Sequence, residues 1–540
     1  MTTLQSLAIG QAHVVTRSLS YQADPLALYS RICGHRQHNN SMLLESAEID
    51  SKQHTQSLML IDAALRLECN ERTVSITALT DNGRSLLPFL TDKLTQLAMT
   101  SRSGDVVEAE FQLPEFGLDE ESRLKAASPF DALRTIVNQI TTDSDEPNAI
   151  FLGGVFAYDL IASVEQLPQV PQGVNDCADF VFYLAETLLH LDHVNQHCHL
   201  VATVFGGEHA AKVAAQLDPR IEAIAKLTDD SSLQSFTSTS IAPSNSDVAE
   251  SMDDATFRDH VKQLKHNIFV GDIFQVVPSR TFSLACPDSL LAYKALRQSN
   301  PSPYMFYMQD QDFTLFGASP ECAVKFCADS RDVEVYPIAG TRRRGFNDDG
   351  SINPDLDGRI ELELRLDKKE LSEHLMLVDL ARNDVARISE PGTRHIANLL
   401  KVDRYSHVMH LVSRVVGKLR HDLDALYAYQ ACMNMGTLTG APKIRASELI
   451  RSVEQQRRGS YGGAVGYVNG TGAMDTCIVI RSAFVKDQVA HVQAGAGVVY
   501  DSDPQSEADE TRNKAQAVIN AVRFANQQLA EQQSTQGESQ

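Results

Sequence analysis

Apolar positions recur along this chain at two periods, and the alternation between them outlines its elements. From Leu58 to Leu67 the spacing is mostly helical, whereas Thr73 to Leu79 alternates as a half-buried strand does. Phe180 to His190 and His197 to Phe205 read as strands, and Ala210 to Leu227 as an alanine-rich helix. Beyond Met252 the pattern sharpens. Asp253 to Asn267 reads as a helix, Ile273 to Val277, Tyr304 to Met308 and Thr314 to Ala318 as strands, and Asp367 to Ile388 as a long helix. Gly462 to Tyr500 reads as three or four strands separated by turns at Asn469-Gly470 and Lys486-Asp487. A last helix starts at Asp503-Pro504, a capping residue followed by proline in the first turn, and runs to about Leu529.

Strands in hairpin-like succession, with helices between groups of them, predict an α+β fold rather than a doubly wound parallel sheet. The expectation is large, mainly antiparallel sheets packed as a sandwich with helices outside. A smaller N-terminal α+β region, residues 1–227, interleaves with it. Residues 228–251 turn to Ser, Thr and Asp with Pro243 among them and read as a linker or long loop. Residues 252–527 form the main domain, and 528–540 a polar, frayed tail.

Composition narrows the function classes. At 540 residues the chain holds several core-sized units, at roughly 150 residues each. Hydrophobic residues at 43% and charged residues at 22% exclude a wholly disordered chain. No apolar run approaches the roughly 20 residues of a membrane helix, and the first residues lack the basic and apolar regions of a secretory signal. Nine cysteines with no CxxC pair fit reduced thiols, so the expected location is the cytoplasm. The formal charge of −22 argues against nucleic acid or an anionic membrane as partner. An anionic substrate would therefore need local positive charge from an arginine, a lysine or a bound cation.

Three groups of residues carry candidate chemistry. Glu370 and Glu373 share a face of one helix, and Glu507, Glu510 and Lys514 share a face of the last. The apolar stripes Leu371, Leu375 and Val378, and Ala515, Val518 and Val522, would dock these helices. Paired carboxylates can hold a hard divalent cation, although spacing alone favours a solvated face. Glycine-rich backbone at Gly340-Thr341 and Gly495-Ala496-Gly497 can bring N–H groups close to a carboxylate, or simply form turns. Arg481 falls on the apolar side of a strand Cys477 to Val485 and needs an anionic partner, with a structural glutamate slightly preferred over a substrate. On their own, His410 reads as a core or helix histidine, Glu321 as an acid near a helix start, and Tyr461 and Thr437 as packing and turn residues.

Together these segments resemble the chorismate-utilising enzymes, and most closely their anthranilate synthase component I branch. The resemblance rests on Gly271 to Gln275, Pro301 to Met305, Gly317 to Glu321 and Pro337 to Thr341. It continues through Glu370 to His374 with Arg382-Asn383-Asp384, Gly436 to Lys443, Gly472 to Arg481 and Gly495 to Lys514. In order and spacing it covers nearly all of 255–520. More sparsely, Leu43 to Ala47 resembles the family's tryptophan feedback segment, which works with Pro303-Tyr304-Met305. The absence of tryptophan from the chain suits an enzyme needed when tryptophan is scarce.

The resemblance implies Mg2+-dependent conversion of chorismate and ammonia to anthranilate and pyruvate, the first step of tryptophan biosynthesis. It implies Glu373 and Glu510 as metal ligands, with Glu370 and Glu507 acting through metal-bound water. Gly340, Thr341, Tyr461, Arg481, Gly495, Ala496, Gly497 and Lys514 would hold substrate carboxylates. Glu321 would be the general acid, with His410 and Thr437 near the leaving oxygen and Gln275 beside the nucleophile. Leu44, Glu45, Ser46, Pro303, Tyr304 and Met305 would take inhibitory tryptophan. The chain has no Gly-x-Cys-x-Gly segment. A glutamine amidotransferase subunit would therefore supply the ammonia, in an assembly with two copies of each subunit. Two positions discriminate among relatives. Isochorismate-type enzymes carry lysine where this chain has Gln275, and aminodeoxychorismate synthase component I carries lysine where it has Ala339. That second enzyme, and a catalytically silent tryptophan-sensing subunit, are the competing readings.

Overall fold

The computed structural model describes residues 7–34, 38–47, 54–113, 117–229, 247–405 and 408–537. Most of the linker at 228–251 and the last three residues of the tail lie outside the described residues.

Among the described residues, twenty-three strands are hydrogen-bonded into one continuous β-network, and a two-stranded pair joins Gln275–Val276 to Gly440–Ala441. Every pairing between described strands is antiparallel except the short one between Gln11–Leu19 and Thr141–Thr142. With helices packed on the strands, the architecture is α+β, as the sequence pattern predicts.

The two halves of the chain share this network. Ser41–Ala47 pairs with Tyr304–Gln309, and Phe151–Phe156 pairs with Ala464–Asn469. They share core as well. Met42, Leu60 and Val181 pack in one buried cluster with Phe306, Met308, Val465 and Cys477. Burial on this scale is the main term opposing the loss of chain entropy. No helix among the described residues is long and apolar enough to cross a membrane.

Several elements differ from the pattern reading. Leu58–Leu67 is not helical; it lies inside the 17-residue strand His54–Asn70. Leu58, Met59, Leu60 and Ile61 are all buried, so both faces of the strand are apolar and the two-residue alternation is lost. Ile273–Val277 contributes only the two-residue strand Gln275–Val276. The expected strand Cys477–Val485 is two strands, Met474–Ile478 and Ser482–Lys486, broken around Arg481. The C-terminal helix runs from Pro504 to Gly537, well into the segment expected to fray.

Candidate active site

The two carboxylate-bearing helices are set by their caps. The Asp367 side chain accepts the N–H groups of Lys369 and Glu370 and starts the helix Lys368–Ala386, which places Glu370 and Glu373 in its first turns. Its buried face is His374, Leu377, Val378, Ala381, Asp384 and Val385. The expected docking stripe is therefore corrected: Leu375 is 46% exposed. A rotation of the buried stripe toward His374 accounts for this, since His374 bonds the Ser413 hydroxyl at 2.7 Å. In the C-terminal helix Asp503 caps Ser506, and Ala515, Val518 and Val522 are buried as expected.

The acidic and glycine-rich segments meet. Gln275 Nε2 donates to Glu373 Oε1 at 3.0 Å. A methyl group on Gly497 would lie 3.0 Å from Gln275 Nε2 and 3.2 Å from Glu373 Oε1, and one on Gly340 would lie 3.3 Å from Glu370 Oε2. Gly340 also has a φ of +79°, where a side chain would be strained. Lys514 Nζ lies 2.7 Å from Glu510 Oε1 and donates to the Gly495 carbonyl at 3.0 Å. A methyl on Gly495 would approach the Tyr461 hydroxyl to 3.0 Å. Ala496 is buried between the two glycines, its N–H bonded to the Pro278 carbonyl at 3.1 Å.

The carboxylates feel one another. Burial, with Glu370 and then Glu510 adding negative charge, pushes Glu373 up to about 7, against the pull of Lys514. Burial and the Glu510 charge also raise Glu507, whose Oε2 is buried with no hydrogen-bond partner. Arg342, which sequence reasoning did not single out, pairs with Glu370 at 2.8 Å and with Asp367 at 2.7 Å. No three His, Cys, Asp or Glu side chains among the described residues come together closely enough to hold a metal ion by themselves. An oxygen-only donor set with too little positive charge suits a hard cation that keeps its own waters.

A second set of groups surrounds Glu321. No helix starts there; Glu321 sits between the strands Thr314–Ser319 and Cys322–Phe326. It is 5% exposed, and burial pushes its carboxyl up to about 8 despite Thr437 and Lys514 nearby. Thr437 lines the same small cavity as Glu321. His410 lies opposite Thr341 in the strand register, its Nδ1 2.8 Å from the Thr341 hydroxyl. Burial, then the charge of Arg481, holds His410 down at about 3, so the ring is neutral.

Arg481 occupies the strand break with a φ of +49°. Burial lowers its pKa, while Tyr405, Tyr461 and Glu510 oppose that. No carboxylate among the described residues forms an ion pair with it, so the structural glutamate preferred from sequence is not its partner. A half-buried guanidinium without an anion is equipped to receive one.

A family profile for chorismate binding enzymes matches residues 95–520 of this chain. Anthranilate synthase component 1 of Vibrio parahaemolyticus is 57% identical over 525 residues, covering 97% of this chain and 95% of its own. The same-named protein of Vibrio cholerae is 58% identical over 515 residues, covering 95% of this chain and 97% of its own. The chain belongs to the chorismate binding enzymes, in their anthranilate synthase component 1 branch. Among solved structures, anthranilate synthase component I of Streptococcus pneumoniae superposes with a TM-score of 0.67 at 28% identity, covering 86% of this chain and 92% of that one. The designation component 1 implies a second component for those relatives.

This chorismate binding enzyme has a further cavity away from Glu321, built where two sequence-matched segments pair as strands. Leu44, Glu45 and Ser46 lie opposite Phe306, Met305 and Tyr304. Leu44, Glu45, Ser46, Tyr304 and Met305 line the cavity, while Pro303 stays outside the lining and accepts the Ala47 N–H at 2.8 Å. The Glu45 carboxylate is already held by the Tyr293 hydroxyl at 2.6 Å and by Arg297 at 2.8 Å. Gln56, Tyr467 and Asp475 are among the other residues of the wall. No local pattern pointed to them, because strand register alone brings them here.

Proposed function

We propose that this enzyme converts chorismate and ammonia to anthranilate and pyruvate with Mg2+ bound, in the cytoplasm. The carrying observation is the convergence of Gln275, Glu373 and Gly497, with Glu510 electrostatically coupled to Glu373 and a protonatable Glu321 that, like Glu373, feels the charge of Lys514.

Glu373 and Glu510 fit as the direct ligands of Mg2+, and Glu370 and Glu507 as holders of its waters. When bound, the ion neutralises the ring carboxylate and acts as a Lewis acid. The residues of this chain do the rest. Arg481 takes a substrate carboxylate bidentately, aided by Tyr461, Lys514 and the backbone at Gly340-Thr341 and Gly495-Ala496-Gly497. Gln275 donates to Glu373 and keeps a buried side-chain oxygen unpartnered, suited to accept an N–H of incoming ammonia. Ammonia adds at ring carbon 2 as the 4-hydroxyl leaves. Hydroxide is a poor leaving group, and Glu321, at about 8, holds its proton at neutral pH and delivers it. Neutral His410 and Thr437 hydrogen-bond around the departing oxygen. Loss of pyruvate then aromatises the ring, which makes the second step strongly downhill.

A glutamine amidotransferase subunit is the proposed ammonia source, and the strand-paired cavity at Ser46 and Tyr304 the proposed tryptophan feedback site. Ala339 favours anthranilate over aminodeoxychorismate as product, because it offers no amine to attack the ring. The deciding experiment incubates the purified chain with chorismate, ammonium salt and Mg2+ and follows anthranilate fluorescence, with and without tryptophan. A non-aromatic amino product would overturn the assignment, as would no product.

A further inference from the structure

Two residues in the matched segments, Asp384 and Lys443, take no part in the chemistry above. Asp384 lies on the helix that carries Glu373, about three turns further on, and is 8% exposed. Lys443 opens the helix Lys443–Glu454, and its Nζ donates to Asp384 Oδ2 at 2.6 Å and to the Cys432 carbonyl at 2.6 Å. A buried ion pair on a surface helix adds little net stability, so its place in the fold invites another explanation.

That place is the wall of a small cavity. Glu321 and Thr437 line it together with Asp384, and Leu377 and Ala381 supply apolar wall between them. Its rim includes Leu380, which is partly exposed. The space available to the centre of a water-sized molecule is about 20 Å3, enough for one or two waters. The carboxyl, hydroxyl and carboxylate groups in its wall supply the polar partners that ordered water requires. Gln275 and Glu373 are not in the lining. The cavity therefore joins the leaving-group end of the site and not the nucleophile end.

We propose that this cavity is the water route by which Glu321 regains its proton after each turnover, with Asp384, held by Lys443, as the positioning residue in its wall. The inference rests on the reaction proposed above. In that step the Glu321 O–H bond breaks, its proton joins the departing 4-hydroxyl, and the C4–O bond breaks to give water. The C2–N bond forms, and the new ammonium group releases one proton to solvent. A proton from solvent passes through the cavity water to the Glu321 carboxylate, so charge balances without any further reactant. The charged and titratable groups facing Asp384 are Lys443, Arg387 and Cys432; Lys514 is the one acting on Glu321, which also has the Thr437 hydroxyl as a hydrogen-bond partner. Burial raises the Asp384 carboxyl against the pull of Lys443 and Arg387, and the Lys443 bond to Oδ2 fixes how the group is presented to the cavity.

The test compares wild type with Asp384→Asn and Leu380→Phe, the second narrowing the rim, using chorismate, ammonium chloride and Mg2+. Both variants are expected to lower kcat at least tenfold while the KM for chorismate and for ammonium stay within twofold. The solvent deuterium effect on kcat should at least double, which a merely structural role would not produce. Unchanged kcat in folded variants overturns the proposal. So does a loss expressed as a raised KM for ammonium, which would make the cavity the ammonia inlet. Should Asp384→Asn fail to fold, Leu380→Phe decides, since its site is already partly open. A wild-type enzyme that makes no anthranilate overturns the parent reaction and this route with it. An active wild type with unaltered variants overturns the route alone.

Discussion

Gln275 and Glu373 meet across two elements: the Gln275 amide nitrogen donates to a Glu373 carboxylate oxygen at 3.0 Å, and the Gln275 oxygen is left buried without a partner. The amide thereby fixes the orientation of one proposed metal ligand and offers an acceptor toward the reacting centre. Gln275→Leu keeps the bulk and removes both functions. A hydrogen bond to a charged group contributes about 1.5–3 kcal/mol, so anthranilate formation should fall roughly 10- to 100-fold in steady-state fluorescence assays. Wild-type turnover in this variant would remove Gln275 from the mechanism.

Glu373→Gln should abolish Mg2+-dependent turnover while circular dichroism and the thermal transition remain native-like. The substitution preserves shape and removes one of the coupled charges that raise the cluster. Titration of the variant with Mg2+ by calorimetry should show binding weakened at least about tenfold. Near-normal activity at ordinary Mg2+ would show that this side chain is not a ligand.

Glu321→Gln should reduce kcat by about 10²- to 10⁴-fold, the range for a lost general acid. In the wild type, kcat should decline as pH rises through about 8, where the buried carboxyl loses its proton. A pH–rate profile flat from about 6 to about 9 would exclude Glu321 as the proton donor.

Glu321 and Glu373 also link stability to pH. Both have an ordinary value of 4.5 and are raised in the folded state, to about 8 and about 7. A raised carboxyl favours the fold in its protonated form. That contribution is complete below 4.5 and is lost as pH climbs through 7 and 8. The metal-free protein should therefore show a falling Tm across this interval, and added Mg2+ should raise Tm more at pH 8 than at pH 5, because a native-state ligand stabilises by mass action. Equal Mg2+ effects at both pH values would contradict the charge argument.

Ser46→Phe should raise the tryptophan concentration needed for half-inhibition severalfold, with little change in uninhibited turnover. The Ser46 hydroxyl contacts Thr55 at 3.2 Å, and Ser46 lines the cavity, so a phenyl ring there would take space a ligand needs. An unchanged inhibition curve would place feedback elsewhere.

Much of this was readable before folding. The strands Thr73–Ala78, Phe180–Asp192 and His197–Phe205 follow their alternating or continuous apolar runs, the helix read from Asp367 starts one residue later, and the cap at Asp503 sits where the sequence put it. The misread segments share a cause. His54–Asn70 is buried on both faces, so periodicity carries no information about its conformation. Arg481 takes a left-handed φ of +49° and breaks a run of strand formers, a conformation no local pattern expresses.

The sequence by itself determined which chemical groups this protein has and in what order: two carboxylate-bearing helices, two glycine-rich segments, an arginine amid apolar residues and a family pattern that named the substrate. Only the tertiary structure decided which of them face one another. Spacing on a helix favoured a solvated face for Glu370 and Glu373, and it took burial, with Glu370 and Glu510 close by, to lift Glu373 to about 7. It likewise took strand pairing to bring Ser46 opposite Tyr304, and helix packing to place Asp384 in the wall of the cavity it shares with Glu321. The reason is physical: the charge and shape of a side chain belong to the residue, but its desolvation and its neighbours belong to the packed whole.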